Sequence, residues 1–345
     1  MYYATIDCGT TNSRVYIVDK DMKIIGKAEK KIGVRDTAIY GNNEKLKKGL
    51  SETFYQALKN ANVELKEVSF VISSGMITSE IGLKEIPHLW APAGIRDLAE
   101  NITKVHDASV FPVDIPIYFI RGIKNKYDAQ KTTIMDVGNL DFMRGEETQV
   151  AGLFSLYDIE PPLTMVVLSS HTKFIPIDSQ KNILGSITTV SGQVYEAIIK
   201  ETFVGKSVRK ECDVDIKVDD ENYFNEEIID SAYSWVRKSG FLRSLLLPRF
   251  MDVLLKTKWY ERKLFVEAII ASEDIEAMAQ LEKYKLALDG TFILIGPVQR
   301  TLVYQYLLNK KKSIKKIIKI TNKQDVDKLS INGSLFLAKL AGLIG

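Results

Sequence analysis

Residues 2–19 read YYATIDCGTTNSRVYIVD. An apolar run ends at Asp7, a Gly-Thr-Thr-Asn-Ser turn follows, and a second apolar run leaves after Arg14. The pattern predicts two short strands joined by a tight turn, with Asp7 and Thr10–Ser13 at one tip. A carboxylate there can hold a cation, often through its water shell, and the turn's N–H groups and hydroxyls can meet phosphate oxygens. The same residues also suit an ordinary solvated hairpin, because Gly, Thr and Asn are favourable in turns.

The pattern returns 159 residues later. Arg14-Val15-Tyr16-Ile17-Val18-Asp19 aligns with Lys173-Phe174-Ile175-Pro176-Ile177-Asp178, and Ile24-Ile25-Gly26 with Ile183-Leu184-Gly185. Thr10-Thr11-Asn12-Ser13 aligns with Ser169-Ser170-His171-Thr172, and Val166 stands where the first copy has Asp7. Solenoid units run ~20–50 residues, so this spacing points to two similar domains, of which one carries an acid at its tip. Two related hairpins facing each other would suit a nucleoside triphosphate in a cleft between them.

A length of 345 residues accommodates two domains, and 46% hydrophobic with 26% charged residues is ordinary for a globular protein. The net charge of +3 is too small to argue for nucleic acid. The lysines of Lys310–Lys312, Lys315 and Lys316 read as a solvated surface. Cys8 and Cys212 are the only cysteines, which gives no disulfide framework or zinc cluster and suits a reducing cytoplasm. The N-terminus reaches Asp7 too soon for a secretory signal, and no apolar run approaches the ~20 residues of a membrane span. A homo-oligomer is compatible with the sequence.

Strands are expected near 2–8, 14–19, 23–31 and 68–73, with a helix over 43–61 whose apolar face is Leu46, Leu50, Phe54, Ala57 and Leu58. A further strand is expected over 131–137 and a helix over 145–157. The order then repeats, with strands near 163–168, 172–178 and 182–190. A helix follows, with Ser191 as its N-cap. A helical insertion is expected near 225–285, then a buried strand at 292–295, a helix to about Leu308 and an edge strand over 314–320. The expected domains are 1–157 and 158–345.

The duplicated β-β-β-α-β-α order with DxGTTNxR at the first hairpin resembles the actin and sugar-kinase superfamily. Further segments narrow the resemblance to the 2-dehydro-3-deoxygalactonokinase family. They are SGMITSEIGLKEIPHLWAPAG at 74–94, FMRGEETQVAG at 142–152, LSSHTKF at 168–174, TTVSGQVYEAI at 188–198 and LIGPVQRTLVYQYLL at 294–308. The chain departs from the family around the second hairpin. Leu168 and Ser169 replace a proline and a glycine, and Ser170, Thr172 and Phe174 replace Thr, Ser and Trp.

The resemblance implies an α/β fold of two duplicated actin-like (ribonuclease H-like) domains with an interdomain nucleotide cleft. It implies an ATP-dependent kinase using Mg²⁺ to phosphorylate the terminal hydroxyl of 2-dehydro-3-deoxy-galactonate or a similar keto-deoxy sugar acid. Two other readings stay open: a kinase of another small sugar or polyol, and a non-catalytic nucleotide-binding sensor on the same fold.

On this reading Asp7 takes the metal side. Gly9, Thr10, Thr11, Asn12 and Arg14 face the triphosphate, as do Ser169, Ser170, His171, Thr172 and Lys173, and Gly296 lets the nucleoside approach the backbone. Arg14 can equally be structural, and His171 an ordinary turn residue. The catalytic base is Glu146 or Glu147. Adjacent helical positions point about 100° apart, so one of them faces substrate, and Glu146 is preferred. Both acids would also complement a helix N-terminus. Ser74, Gly75, Met76, Pro92, Gly94 and Arg144 are the sugar-acid candidates, with Arg144 as counter-charge, though each also fits a packing loop.

Overall fold

The computed structural model describes residues 1–210, 223–284, 290–311 and 313–344. Cys212, Lys312 and the last residue of the expected 225–285 block lie outside the described residues. The chain divides into two compact units. The first comprises Met1–Glu160, Ser179–Ser186 and Asp327–Gly345, and the second Pro161–Asp178 and Ile187–Val326.

In the first unit β1 (Tyr2–Cys8), β2 (Ser13–Val18) and β3 (Ile24–Lys30) form an antiparallel meander. After α1 (Val34–Tyr40) and α2 (Glu44–Ala61), β4 (Val68–Gly75) returns parallel to β1. Leu46, Leu50, Phe54, Ala57 and Leu58 of α2 are all buried, as their spacing predicts. Each buried Leu or Phe side chain contributes about 1.5–3 kcal/mol on burial. Asn62, in the left-handed region at φ 55°, ends the helix. Short elements follow: β5 (Leu89–Trp90), β6 (Ala93–Gly94), α3 (Ile95–Glu100), β7 (Thr103–Val105), β8 (Ile117–Phe119), β9 (Ile123–Lys124), β10 (Phe142–Met143) and α4 (Glu146–Leu156). The main sheet runs β3-β2-β1-β4-β8-β7, and β10-β9-β5 form a small second sheet.

The second unit repeats the plan. β11 (Leu163–Leu168) and β12 (Thr172–Ile177) pair antiparallel, and β13 (Asn182–Ile183) belongs to the first unit, where it pairs with β6. β14 (Ile187–Thr189) pairs antiparallel with β12. The helices are α5 (Ser191–Glu201), α6 (Phe203–Ser207), α7 (Glu226–Ser239), α8 (Phe241–Ser244), α9 (Leu247–Val253) and α10 (Trp259–Ala277). β15 (Thr291–Ile295) then lies parallel to β11, α11 (Val298–Asn309) follows, and β16 (Lys316–Ile320) lies parallel to β15. α12 (Lys323–Leu340) follows and from Asp327 on belongs to the first unit. Both units therefore show an antiparallel meander whose first strand is flanked by parallel strands, the duplicated actin-like arrangement. Every residue of β11 and β12 is buried, as expected at the centre of a covered sheet.

The structure departs from the sequence expectations at five places. The expected strand over 131–137 is a single-strand loop entering a 3-10 turn at Ile134–Asn139. Thr133 accepts the Met135 N–H at 3.2 Å and donates its own N–H to Asp136 at 2.9 Å, so local capping wins. The expected 182–190 strand is broken into β13 and β14. Ser191 is the first helical residue rather than the cap, because its hydroxyl is taken by Asp274.

The repeat is not gapless. Four residues separate Cys8 from Ser13, but three separate their ladder equivalents Leu168 and Thr172. Val167, opposite Lys173, therefore stands at the place of Asp7, opposite Arg14.

Finally, a single break after residue 157 does not describe the units. Gly152 of α4 lies where an added Cβ would be 1.9 Å from the Leu329 carbonyl oxygen, and Gly333 where it would be 1.9 Å from that of Thr148. This reciprocal backbone contact ties 327–344 to α4.

Candidate active site

The β1–β2 register sets Asp7 against Arg14, whose Nη1 is 3.3 Å from Asp7 Oδ2. The same guanidinium lies 3.6 Å from Glu29 and 3.8 Å from Asp327 on α12. The surrounding protein pushes the Asp7 carboxyl above the ordinary range and Asp327 adds to this, while Arg14 opposes it. The Asp7 side chain is still 47% exposed, so a ligand can reach it. Gly9 N–H closes the turn on Asn12 O at 3.0 Å, leaving Thr10, Thr11 and Asn12 exposed, with Asn12 donating to the Thr11 hydroxyl at 3.2 Å. The start of α1 holds the turn from behind. Val34 and Arg35 N–H donate to Gly9 O and Thr10 O at 3.2 and 2.9 Å, and a Cβ on Gly33 would meet the Thr10 oxygen at 2.4 Å.

The second hairpin is held the same way. Gln193 N–H at the start of α5 donates to Ser170 O at 2.8 Å, and a Cβ on Gly192 would be 2.0 Å from Ser169 O. Ser169 and Ser170 are exposed and His171 half-buried, with Ser170 Oγ 3.3 Å from His171 Nδ1. Thr172 and Lys173 are buried, and Lys173 Nζ donates to Thr188 Oγ1 at 2.6 Å. Gly296, at φ 157°, passes so close to Leu168 that an added Cβ would be 2.7 Å from the Leu168 Cβ. Sequence reasoning missed Arg300, which clamps this hairpin by donating to Ser169 O at 2.7 Å and Thr172 Oγ1 at 3.0 Å. It also missed the buried Asp274, which accepts the hydroxyls of Thr189, Ser191 and Tyr304. The sequence signal for Arg300 was a cation one turn into a helix that follows a strand-end glycine.

In the first unit three further segments converge. The β1–β4 ladder puts Asp7 beside Ser74 and Cys8 beside Gly75. Gly75, at φ 84°, meets Gly145, at φ 114°, with the added Cβ of Gly145 3.5 Å from the Gly75 Cα. Both need the freedom of glycine. Ser74 is buried and Met76 half-buried. Arg144 Nη1 donates to Thr78 Oγ1 at 2.8 Å.

The two adjacent glutamates have different surroundings. Glu147 is fully buried, with both carboxyl oxygens 2.8 Å from the Gly145 nitrogen. Burial, then the neighbouring Glu146 charge, raise its pKa to about 8. Glu146, on the first turn of α4, is only half-buried. Pro92 is exposed, whereas Gly94 is buried, pairs with Asn182 and donates its N–H to Asp97 at 2.7 Å as the start of α3. Asp7, Ser74, Gly75, Arg144 and Glu146 thus belong to one neighbourhood of the first unit. Ser169–Thr172, Gly296 and Arg300 form one neighbourhood of the second.

Residues 7–322 match the family described as 2-keto-3-deoxy-galactonokinase. The chain belongs to that family. Within this galactonokinase family, the 2-dehydro-3-deoxygalactonokinase of Escherichia coli (strain K12) is 26% identical over 203 residues, 59% of this chain and 58% of that protein. A relative from Rhizobium meliloti (strain 1021) bearing the same enzyme name is 25% identical over 207 residues, 60% of this chain and 59% of its own length. The chain thus spans under two thirds of the curated relatives it matches. A solved structure from Sinorhizobium meliloti, described as a 2-dehydro-3-deoxygalactonokinase, shares the fold. Its TM-score is 0.71 at 19% identity, with 98% of both chains covered.

Proposed function

We propose that the protein is an ATP-dependent kinase that phosphorylates the terminal hydroxyl of 2-dehydro-3-deoxy-galactonate or a closely similar keto-deoxy sugar acid. The observation that carries this reading is the family match over residues 7–322, which includes both hairpins and the Arg144–Glu147 segment.

The substrate hydroxyl oxygen bonds to the γ-phosphorus of ATP, the bond to the bridging β-γ oxygen breaks, and ADP leaves. The hydroxyl proton goes to Glu146, half-open at the start of α4. Glu147 is the less suitable acceptor, because its carboxyl is enclosed and held by the Gly145 N–H. Thr10, Thr11 and the N–H groups of the first turn grip phosphate oxygens, with Ser169 and Ser170 in the same role in the second unit. The family match supports ATP as donor. The Asp7 carboxylate and the hydroxyls of Thr10 and Thr11 are oxygen donors that suit a hard cation such as Mg²⁺, which usually takes one or two carboxylates plus substrate phosphates and water. Bound there, it would offset the charge of the transferring phosphoryl group.

The test is a coupled-enzyme assay of ADP release over a panel of keto-deoxy sugar acids, aldonic acids, simple sugars and polyols. ATP turnover on the keto-deoxy acids in preference to the others is expected. Turnover on a neutral sugar alone would transfer the activity to another substrate class, and nucleotide binding without turnover on any compound would leave a sensor.

A further inference from the structure

The small sheet β10-β9-β5 carries a face that sequence reasoning left unassigned. Its registers set Trp90, Lys124 and Phe142 level across the three strands. Continuing the registers by one residue sets His88, Gly122 and Arg144 level as well. Residues two apart along a strand share a face, so His88, Trp90, Lys124, Phe142 and Arg144 stand on one side. Leu89, Ile123 and Met143 turn to the other, where Ile123 and Met143 are buried.

Gly122 is the reason the first row can close. A Cβ there would be 2.7 Å from His88 Cδ2 and 2.8 Å from Arg144 Cγ, so both side chains lie over the bare glycine. His88 Nδ1 is 3.4 Å from Arg144 Nη2 and, facing a donor, must be the acceptor. The ring's proton then sits on Nε2, which is buried and has no hydrogen-bond partner among the described residues. In the second row Lys124 Nζ lies 3.9 Å over the Trp90 ring and 5.7 Å from that of Tyr127. Trp90 and Phe142 are 44% and 62% exposed.

Among the described residues no carboxylate forms an ion pair with the cations of this face, although Glu147, Glu80 and Glu85 act on Arg144 from farther away. Arg144 donates to Thr78, Lys124 lies against rings, and Arg121 beside them donates to the carbonyls of Pro87 and His88. Cations without a direct ion pair, next to an N–H donor and exposed aromatic faces, form a receptor for an anion carried on a carbon chain.

We infer that this face binds the 2-keto-carboxylate end of the substrate, with Arg144 and the His88 Nε2–H as hydrogen-bond donors, Lys124 as the second cation and Trp90 as the apolar floor. His88 and Lys124 are thereby specificity-determining residues that select acids over neutral sugars. The identity of the substrate rests on the kinase reading; the anion receptor does not. The electrostatics agree. Burial, then the charges of Arg144, Lys124 and Arg121, pull the His88 pKa down to about 4, so the ring is a neutral donor near pH 7. An arriving carboxylate offsets those three cations and must move the titration upward.

The test uses pyruvate, the smallest 2-keto acid, and the intact chain. The sequence has 3 histidines, so ring-nitrogen resonances are readily assigned. Pyruvate is expected to shift the His88 resonances and raise its pKa, leaving His106 and His171 unmoved. His88→Phe, which keeps the ring packing but removes the N–H, and Lys124→Met should each raise KM for the sugar acid by about 10–100-fold, with a much smaller change in kcat. His88→Gln, which restores a donor, should recover part of the loss. Lys124→Met lies on the open side of the sheet and remains informative if His88→Phe fails to fold. An unshifted His88 together with an unchanged KM in both variants overturns the inference while sugar-acid turnover keeps the kinase reading alive. A shifted His88 in a protein that phosphorylates no sugar acid sustains the receptor and sinks the kinase reading instead.

Discussion

At the first hairpin tip Asp7 faces Arg14 across the ladder; at the same place in the second unit Val167 faces Lys173. The supporting parts are otherwise matched. Gly33 and Gly192 each lie against a turn carbonyl, and Gly75 and Gly296 each end the parallel strand beside the first strand of the meander. Arg14 is gathered by three carboxylates, whereas Lys173 turns into the protein to meet Thr188. Duplication supplied the frame twice, and the acid is present in one copy alone. A residue the frame does not demand is free to serve chemistry, and the glycines the frame does demand should behave alike in both copies.

The largest effect is expected from the other half-open acid of the first unit. Glu146→Gln keeps size and hydrogen bonding but removes a proton acceptor, and general-base assistance contributes ~10²–10⁴-fold. The measured kcat on the sugar acid should fall within that range with nucleotide affinity little changed, while Glu147→Gln should be far milder. A dead Glu147→Gln beside an active Glu146→Gln would reverse the assignment.

Asp7→Asn comes next. Removing a charge that offsets the transferring group should lower kcat by roughly 10²–10³-fold, with a changed Mg²⁺ dependence and an unaltered circular-dichroism spectrum. Val167→Ala, at the matching position, should cost only stability. Equal losses of turnover from both would end the asymmetry.

Gly33→Ala and Gly192→Ala test the shared frame. Each new Cβ would meet a turn carbonyl at 2.4 or 2.0 Å, and overpacking of this kind costs about 1–3 kcal/mol. Urea midpoints should fall in both variants, and a harmless change at either glycine would show that the two turns are not held alike.

The smallest effect is a pH dependence peculiar to the first unit. Glu147 has a folded pKa raised to about 8 from 4.5, so the folded state binds the extra proton between those values. Its contribution to stability is present below about pH 4.5 and is lost as pH rises through about 8. Thermal melts of Glu147→Gln should lose that decline and exceed the wild type above pH 8.

The parts of the fold that were legible share a cause. The β1 and β11 runs, the α2 stripe and the Asp7 turn are set by neighbours in sequence, where periodicity and turn chemistry act directly. The exceptions depend on distant atoms. The one-residue shortening of the second turn is hidden because Val166 and Val167 are alike, and only the ladder separates them. Ser191 has the chemistry of a cap, but Asp274, far along the chain, takes its hydroxyl. The Ile134 segment has strand-like residues, yet Ile134 and Met135 are 81% and 88% exposed, so burial never rewarded a strand. Of the residues proposed for the site, those at strand ends stand out in the sequence because turn chemistry marks them. His88, Lys124 and Trp90, proposed above as an anion receptor, do not stand out because strands of two residues leave no period to read; the alternate spacing of His88 and Trp90 around Leu89 is the sole trace.

The crossing of Gly152 with Gly333 has a consequence for how the chain is made. Synthesis runs from the amino end, and domains tend to fold as units, the earlier one first. Here α4 emerges early, but the helix that packs on its glycine is α12, made after nearly all of the second unit. While the ribosome works through the second unit, the first must wait with that groove bare, and this packing step is deferred until α12 has been made.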